Sequence, residues 1–133
     1  MEKTFSNPAG IAPPISQYSH VVRVVIADTA LIYVAGQVPL DPDGKLVGEN
    51  DISAQTEFVF KQIETVLQSV GASLSDVVKA NIYVTDISQF DKVAAVRNRY
   101  FVNNPPATTF VAVSQLVKKD WMVEIEVQAA VQI

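Results

Sequence analysis

The chain contains no cysteine and a single histidine, His20. Disulfides, thiolate nucleophiles, iron–sulfur clusters and thiolate zinc sites are thereby excluded, and one imidazole cannot build a histidine-rich metal cage. No metal site and no cofactor is expected. Charge is scarce as well: 18% of residues are ionic, and ten Lys and Arg against fourteen Asp and Glu leave a formal net charge of −4. That balance gathers neither nucleic acid nor anionic lipid. No apolar run approaches the roughly eighteen residues of a membrane span. The opening Met1 to Pro8 lacks a basic stretch followed by an apolar one. The expectation is a cytoplasmic protein with no membrane partner.

What is present is apolar material, 49% of the chain, which is enough to bury a core. No repeat, low-complexity tract or long linker interrupts it, so residues 1–133 are read as a single domain. Pro8, Pro13 and Pro14 make the stretch after Phe5 an extended arm whose ordering depends on docking. Val21 to Ile26 and Leu31 to Ala35 read as a hairpin about a turn at Asp28-Thr29-Ala30, and a short strand is expected near Thr4-Phe5. Asp41-Pro42-Asp43-Gly44 has the chemistry of a turn and lacks the distal Glu of a calcium loop.

Asp51 can cap a helix running to Val70, with Ile52, Val59, Ile63, Val66, Leu67 and Val70 on one face and Gly71 as its stop. Glu57 and Lys61 form an i,i+4 pair on its solvated side. Val78, Ala80, Ile82 and Val84 alternate with polar residues as in a strand with one buried face. A capping box at Ser88 and Asp91 opens a second helix, which Pro105-Pro106 ends. Two further strands, Thr108 to Ser114 and Met122 to Val131, flank a polar turn at Lys118-Lys119-Asp120. In the last one, Val123, Ile125, Val127, Ala129 and Val131 share one face, and Glu124, Glu126 and Gln128 share the other. The order describes an α+β domain with two helices on one face of a sheet. The other face, with Tyr83, Glu124, Glu126 and Gln128 among apolar neighbours, meets water or a second subunit; a closed homo-oligomer fits the apolar balance.

Without cysteine, chemistry falls to carboxylates, hydroxyls, Lys, Arg and His20. No Gly-x-Ser-x-Gly elbow accompanies His20, which reads as an ordinary residue where a strand begins, and the glycines of residues 36–44 open no phosphate-binding helix.

Several ordered segments carry a resemblance: Tyr33-Val34-Ala35-Gly36-Gln37-Val38-Pro39, Ala54-Gln55-Thr56, Val70 to Lys79, Val84-Thr85-Asp86, Pro106-Ala107 and Val123-Glu124-Ile125-Glu126. Together they resemble the Rid family, also called YjgF or liver perchloric-acid-soluble protein, across nearly the whole chain. The resemblance implies a chorismate-mutase-like α+β fold assembled as a homotrimeric barrel, with pockets for a small planar metabolite between subunits. It also implies hydrolysis of enamines and imines such as 2-aminoacrylate to keto acids and ammonia, with an Arg after Pro-Ala gripping the carboxylate.

Here the chain departs from that pattern. Thr108 follows Pro106-Ala107, Ala35 stands where the family has Ser, and Ala94 where it has Asn, which places the chain in an arginine-lacking subgroup. Tyr18, Gly36, Gln37 and Glu124 match family pocket residues. Glu124 is the candidate catalytic acid/base, and Tyr18, Ala35, Gly36, Gln37, Ala94 and Thr108 are the candidate substrate-binding positions. Arg97 or Arg99 could supply the missing cation from another direction. The expected function is hydrolysis of an enamine or imine unlike 2-aminoacrylate, with a non-catalytic metabolite-binding or regulatory trimer as the alternative. Acidic balance and the lack of a His pair argue against a ribonuclease or translation inhibitor.

Overall fold

The computed structural model describes residues 1–133. Its strands are β1 (Glu2–Ser6), β2 (Val21–Ile26), β3 (Thr29–Gln37), β4 (Val77–Val84), β5 (Ala107–Ala112) and β6 (Val123–Gln132). Its helices are α1 (Ile52–Ser69) and α2 (Phe90–Tyr100). The six strands form one mixed sheet in the order β1-β2-β3-β6-β4-β5. All pairings are antiparallel except β4 with β5, which α2 joins as a crossover. The polar turn at Lys118-Lys119-Asp120 therefore does not close a hairpin, because β4 lies between β5 and β6.

The alternation in β6 sets the layers. Val123, Ile125, Val127 and Ala129 are buried and face the helices, where they meet Val59, Ile63, Val66 and Leu67 of α1. Asp51 caps α1 by accepting a hydrogen bond from Ala54 N at 3.0 Å. Gly71, at φ 82°, stops it in a conformation that a Cβ would strain. The predicted turn Asp41 to Gly44 forms as read, with Asp41 Oδ1 accepting from Asp43 N and Lys45 N, each at 2.9 Å.

Some local expectations shift. The hairpin turn is Ala27-Asp28, with Ala27 at φ 55°, so Thr29 and the buried Ala30 belong to β3. In β4 the register slips between Val77 and Lys79, which buries Val77 and leaves Val78 53% exposed, against the inward position expected for it. Asp86, rather than Ser88, caps the approach to α2: its Oδ1 accepts from Ser88 N at 3.0 Å and from Ser88 Oγ at 2.7 Å. Glu57 is more than a partner for Lys61, 4.0 Å away. It accepts hydrogen bonds from Arg99 at 2.6 Å and from the Tyr100 hydroxyl at 2.5 Å, tying α1 to α2. The Tyr100 bond and, secondarily, Arg99 hold its carboxyl below the usual range against the opposing effect of burial. No helix is long and apolar enough to cross a membrane.

Candidate functional site

β3 and β6 do not pair evenly. Val34 pairs with Val127 and Gln37 with Ile125, so Ala35 and Gly36 together oppose Glu126 alone. This bulge kinks β3 at the end of the sheet. Glu124 uses the room, because a Cβ on Gly36 would overlap its carboxylate. Glycine is thus required there for close approach, and that approach fixes the acid against the strand.

The arm, residues 8–18, crosses in front of this bulge. Between them lies a cleft of about 270 Å³, walled by Ala12, Pro13, Ile15, Ser16 and Tyr18 of the arm, residues 35–38 of β3 and its exit, Gln62 of α1, and Trp121 and Glu124 beside β6. Across Ile15, Leu40 and Trp121 it adjoins a second hollow of about 520 Å³. Trp121 is set by Gln55, whose amide donates to Gly48 O at 3.1 Å and Asp120 O at 3.0 Å and accepts from Met122 N at 2.8 Å. That gives the Ala54-Gln55-Thr56 segment a physical role: it fixes the loop that leads into Glu124.

Burial first, and the neighbouring Glu126 charge second, push the Glu124 carboxyl above the ordinary carboxylate range. Glu126 itself accepts from Asn81 Nδ2 at 3.0 Å and from the Tyr83 hydroxyl at 2.5 Å. The Tyr83 hydroxyl is pushed up to about 12, chiefly by that hydrogen bond. So of two neighbouring carboxylates, one is tied up by protein donors. The other, Glu124, lines the cleft with its carboxyl raised.

The cleft brings together Tyr18, Ala35, Gly36, Gln37 and Glu124. It does not include Ala94 or Thr108. Thr108 pairs with Ala80 on the helix-facing side of edge strand β5, two strand spacings or roughly 10 Å from β6. Its hydroxyl donates to Pro106 O at 2.9 Å. The Phe90 and Phe110 rings meet at 4.7 Å, laying α2 against β5. Ala94, one turn beyond Phe90, and Thr108, two residues before Phe110, therefore share the β5 edge. Neither arginine replaces the missing cation within this chain. Arg97 lies 5.9 Å from the Phe90 ring centroid and Arg99 is paired with Glu57. No Lys or Arg lines the cleft.

Two further residues of the cleft, His20 and Gln62, lie outside the sequence-derived candidates. His20 is buried, and Gln62 lies on the buried side of α1. Gln62 had a signal: Gln55, Val59, Gln62 and Val66 follow helical spacing, which puts two amides on the apolar stripe of α1.

The family model described as Endoribonuclease L-PSP matches residues 10–131. A RutC family protein of Pyrococcus abyssi is 40% identical over 113 residues, covering 85% of each chain. The chain belongs to the Rid family. The 3-aminoacrylate deaminase RutC of Acinetobacter baylyi is 35% identical over 125 residues, covering 94% of this chain and 95% of that one. Among solved structures, YyfA of Yersinia pestis, a Rid family protein of unknown function, superimposes with a TM-score of 0.86 at 36% identity, over 98% of this chain and 100% of that one. The mixed sheet with its two helices is thus the YjgF-like arrangement of the Rid family.

Proposed function

We propose that this Rid protein, acting through residues 1–133 as one domain, binds a small planar enamine or imine in the cleft and hydrolyses it to a carbonyl compound and ammonia. The observation that carries the reading is Glu124: a carboxylate with a raised pKa, set into a strand bulge over a glycine, at the wall of a cleft. In its acid form Glu124 protonates the enamine carbon, leaving an electrophilic iminium. In its base form it takes a proton from water as the oxygen attacks the C=N carbon. The carbinolamine then collapses: Glu124 returns the proton to nitrogen, the C–N bond breaks to release ammonia, and the hydroxyl proton passes back to Glu124 as the C=O bond forms. Tyr18, 41% exposed at the mouth, offers a ring face to a planar substrate. The deaminase name of the Acinetobacter relative supports the same reaction class.

The cleft's lack of Lys and Arg sets the specificity. A substrate carboxylate would enter without a charge-assisted partner, a contact worth about 1.5–3 kcal/mol. Turnover of 2-aminoacrylate should therefore be roughly ten- to a hundredfold or more below that of a pocket that keeps the carboxylate-gripping Arg. Thr108→Arg should restore it in part, while Ala35 and Ala94 still leave the pocket short of polar groups. Pyruvate formation from 2-aminoacrylate generated in situ, compared for the two proteins, measures this; robust wild-type turnover would contradict it.

Thr108 and Ala94 bear on the cleft only through assembly. The sheet face away from the helices leaves Phe5, Ile26, Tyr33 and Val111 exposed beside Asn81, Tyr83 and Glu126. We place a threefold interface there, forming a homotrimeric barrel in which the β5 edge of one subunit closes the cleft of the next. Light scattering at micromolar concentration should give three chains of 14.5 kDa, and a monomer would overturn the assembly. We propose a cytoplasmic protein; its net charge of −4 also argues against a nucleic acid partner.

The missing cation also favours a second reading, a binding trimer without turnover. Ammonia release from a panel of charged and uncharged enamines separates the two. Ligands that raise the melting temperature without any ammonia release would favour the second.

A further inference from the structure

We infer that His20, Gln37 and Gln62 form a latch that holds the proline-rich arm onto the cleft, and that Gln37 is a positioning residue acting through this latch. The kinetic part of the inference rests on the hydrolysis reading; the latch itself does not.

Three backbone carbonyls fix the direction of the chain. Ala12 O lies 2.7 Å from His20 Nε2, and a carbonyl only accepts, so Nε2 carries the proton and Nδ1 is left as an acceptor. Gln37 Nε2 reaches that Nδ1 at 3.2 Å and donates its other hydrogen to Ala35 O at 3.0 Å. Gln37 Oε1 accepts from Gln62 Nε2 at 2.8 Å, and Val38 O, 3.5 Å from the same nitrogen, fixes that amide's orientation. Both N–H groups of Gln37 are consumed within the protein, and its side chain is almost fully buried. It has no donor left for a substrate.

The latch matters because the arm's other anchor is apolar packing alone: Ile11 rests against the core and Ala12 is buried. Residues 8–18 contain no helix or strand. Their single hydrogen bond to the body of the protein is the one from His20 to Ala12 O. Yet the arm supplies Ala12, Pro13, Ile15, Ser16 and Tyr18 to the cleft wall. Through Ala35 O, the same Gln37 amide also grips the bulge that admits Glu124. One buried chain thus couples the arm on one side of the cleft to the bulge on the other, and α1 anchors it.

The lone histidine makes a clean probe. Nitrogen-15 NMR of the wild-type protein at pH 7 should find the neutral Nε2–H tautomer; an Nδ1–H tautomer would overturn the assigned direction. Backbone nitrogen-15 order parameters of residues 8–18 should fall below about 0.6 in Gln37→Leu and, separately, in Gln62→Leu, against about 0.85 in wild type and in the α1 and β6 interiors of both variants. If the arm is unaffected, or loosens no more than α1, the latch is wrong. On a turned-over enamine, Gln37→Leu should raise KM more than it lowers kcat; the reverse would return Gln37 to direct contact with the reacting groups. Should no enamine turn over, the tautomer and order-parameter measurements still decide the latch.

Discussion

Glu124→Gln should lower kcat/KM for enamine hydrolysis by about 10²–10⁴-fold, the usual contribution of a positioned general acid–base. The amide fills the same space over Gly36 but can neither deliver nor accept the proton that the reaction moves. Because burial and Glu126 raise the Glu124 carboxyl above its ordinary value, the wild-type rate should change with pH above the usual carboxylate range, and the Gln variant should lose that step. Stability should move the opposite way. The folded state holds the Glu124 proton more tightly than the unfolded state, so stability declines as pH rises from the ordinary value of 4.5 through the raised one. Gln removes that decline, so at neutral pH the variant should be at least as stable as wild type. Thermal melts across pH check this, and an inactive variant that is also destabilised at pH 7 would mean the loss is structural.

Ile125→Asp or Val127→Asp should abolish folding or cost at least about 4 kcal/mol. Both side chains are essentially fully buried, Ile125 at 0% and Val127 at 1% exposure, in the central strand between β3 and β4 and beneath α1. No donor there can pair a carboxylate, and protonating it instead still buries an unpartnered hydroxyl. Urea denaturation measures the effect; a soluble variant with a wild-type midpoint would mean that β6 presents its other face to the helices.

That register was legible because β6 alternates without interruption, and a period of two with one apolar set admits a single facing. The same rule misplaced Val78, since the slip between Val77 and Lys79 adds a residue that alternation cannot reveal. The α1 face was readable from Ile52 to Val70 for the converse reason: Ile52, Val59, Ile63, Val66, Leu67 and Val70 recur at helical spacing. The site was legible only in part. Nothing in the periodicity of β6 separates Glu124 from Glu126; the family resemblance singled out the first. Its raised pKa comes from burial first and the Glu126 charge second, and both depend on pairing between distant strands. Gln62 and His20 were passed over because an amide in a helix and a histidine before a strand look like surface residues until the arm folds across them.

Following ammonia and carbonyl product together decides whether Glu124 carries the chemistry. Uncharged enamines would be generated in situ in the presence of wild type or Glu124→Gln, with the spontaneous hydrolysis of each enamine as the baseline. Hydrolysis through Glu124 should give equal amounts of the two products, formed well above baseline by wild type and near baseline by the Gln variant. Equal rates for the two proteins would remove Glu124 from the chemistry, and wild-type rates at baseline for every enamine would leave the cleft as a binding site alone.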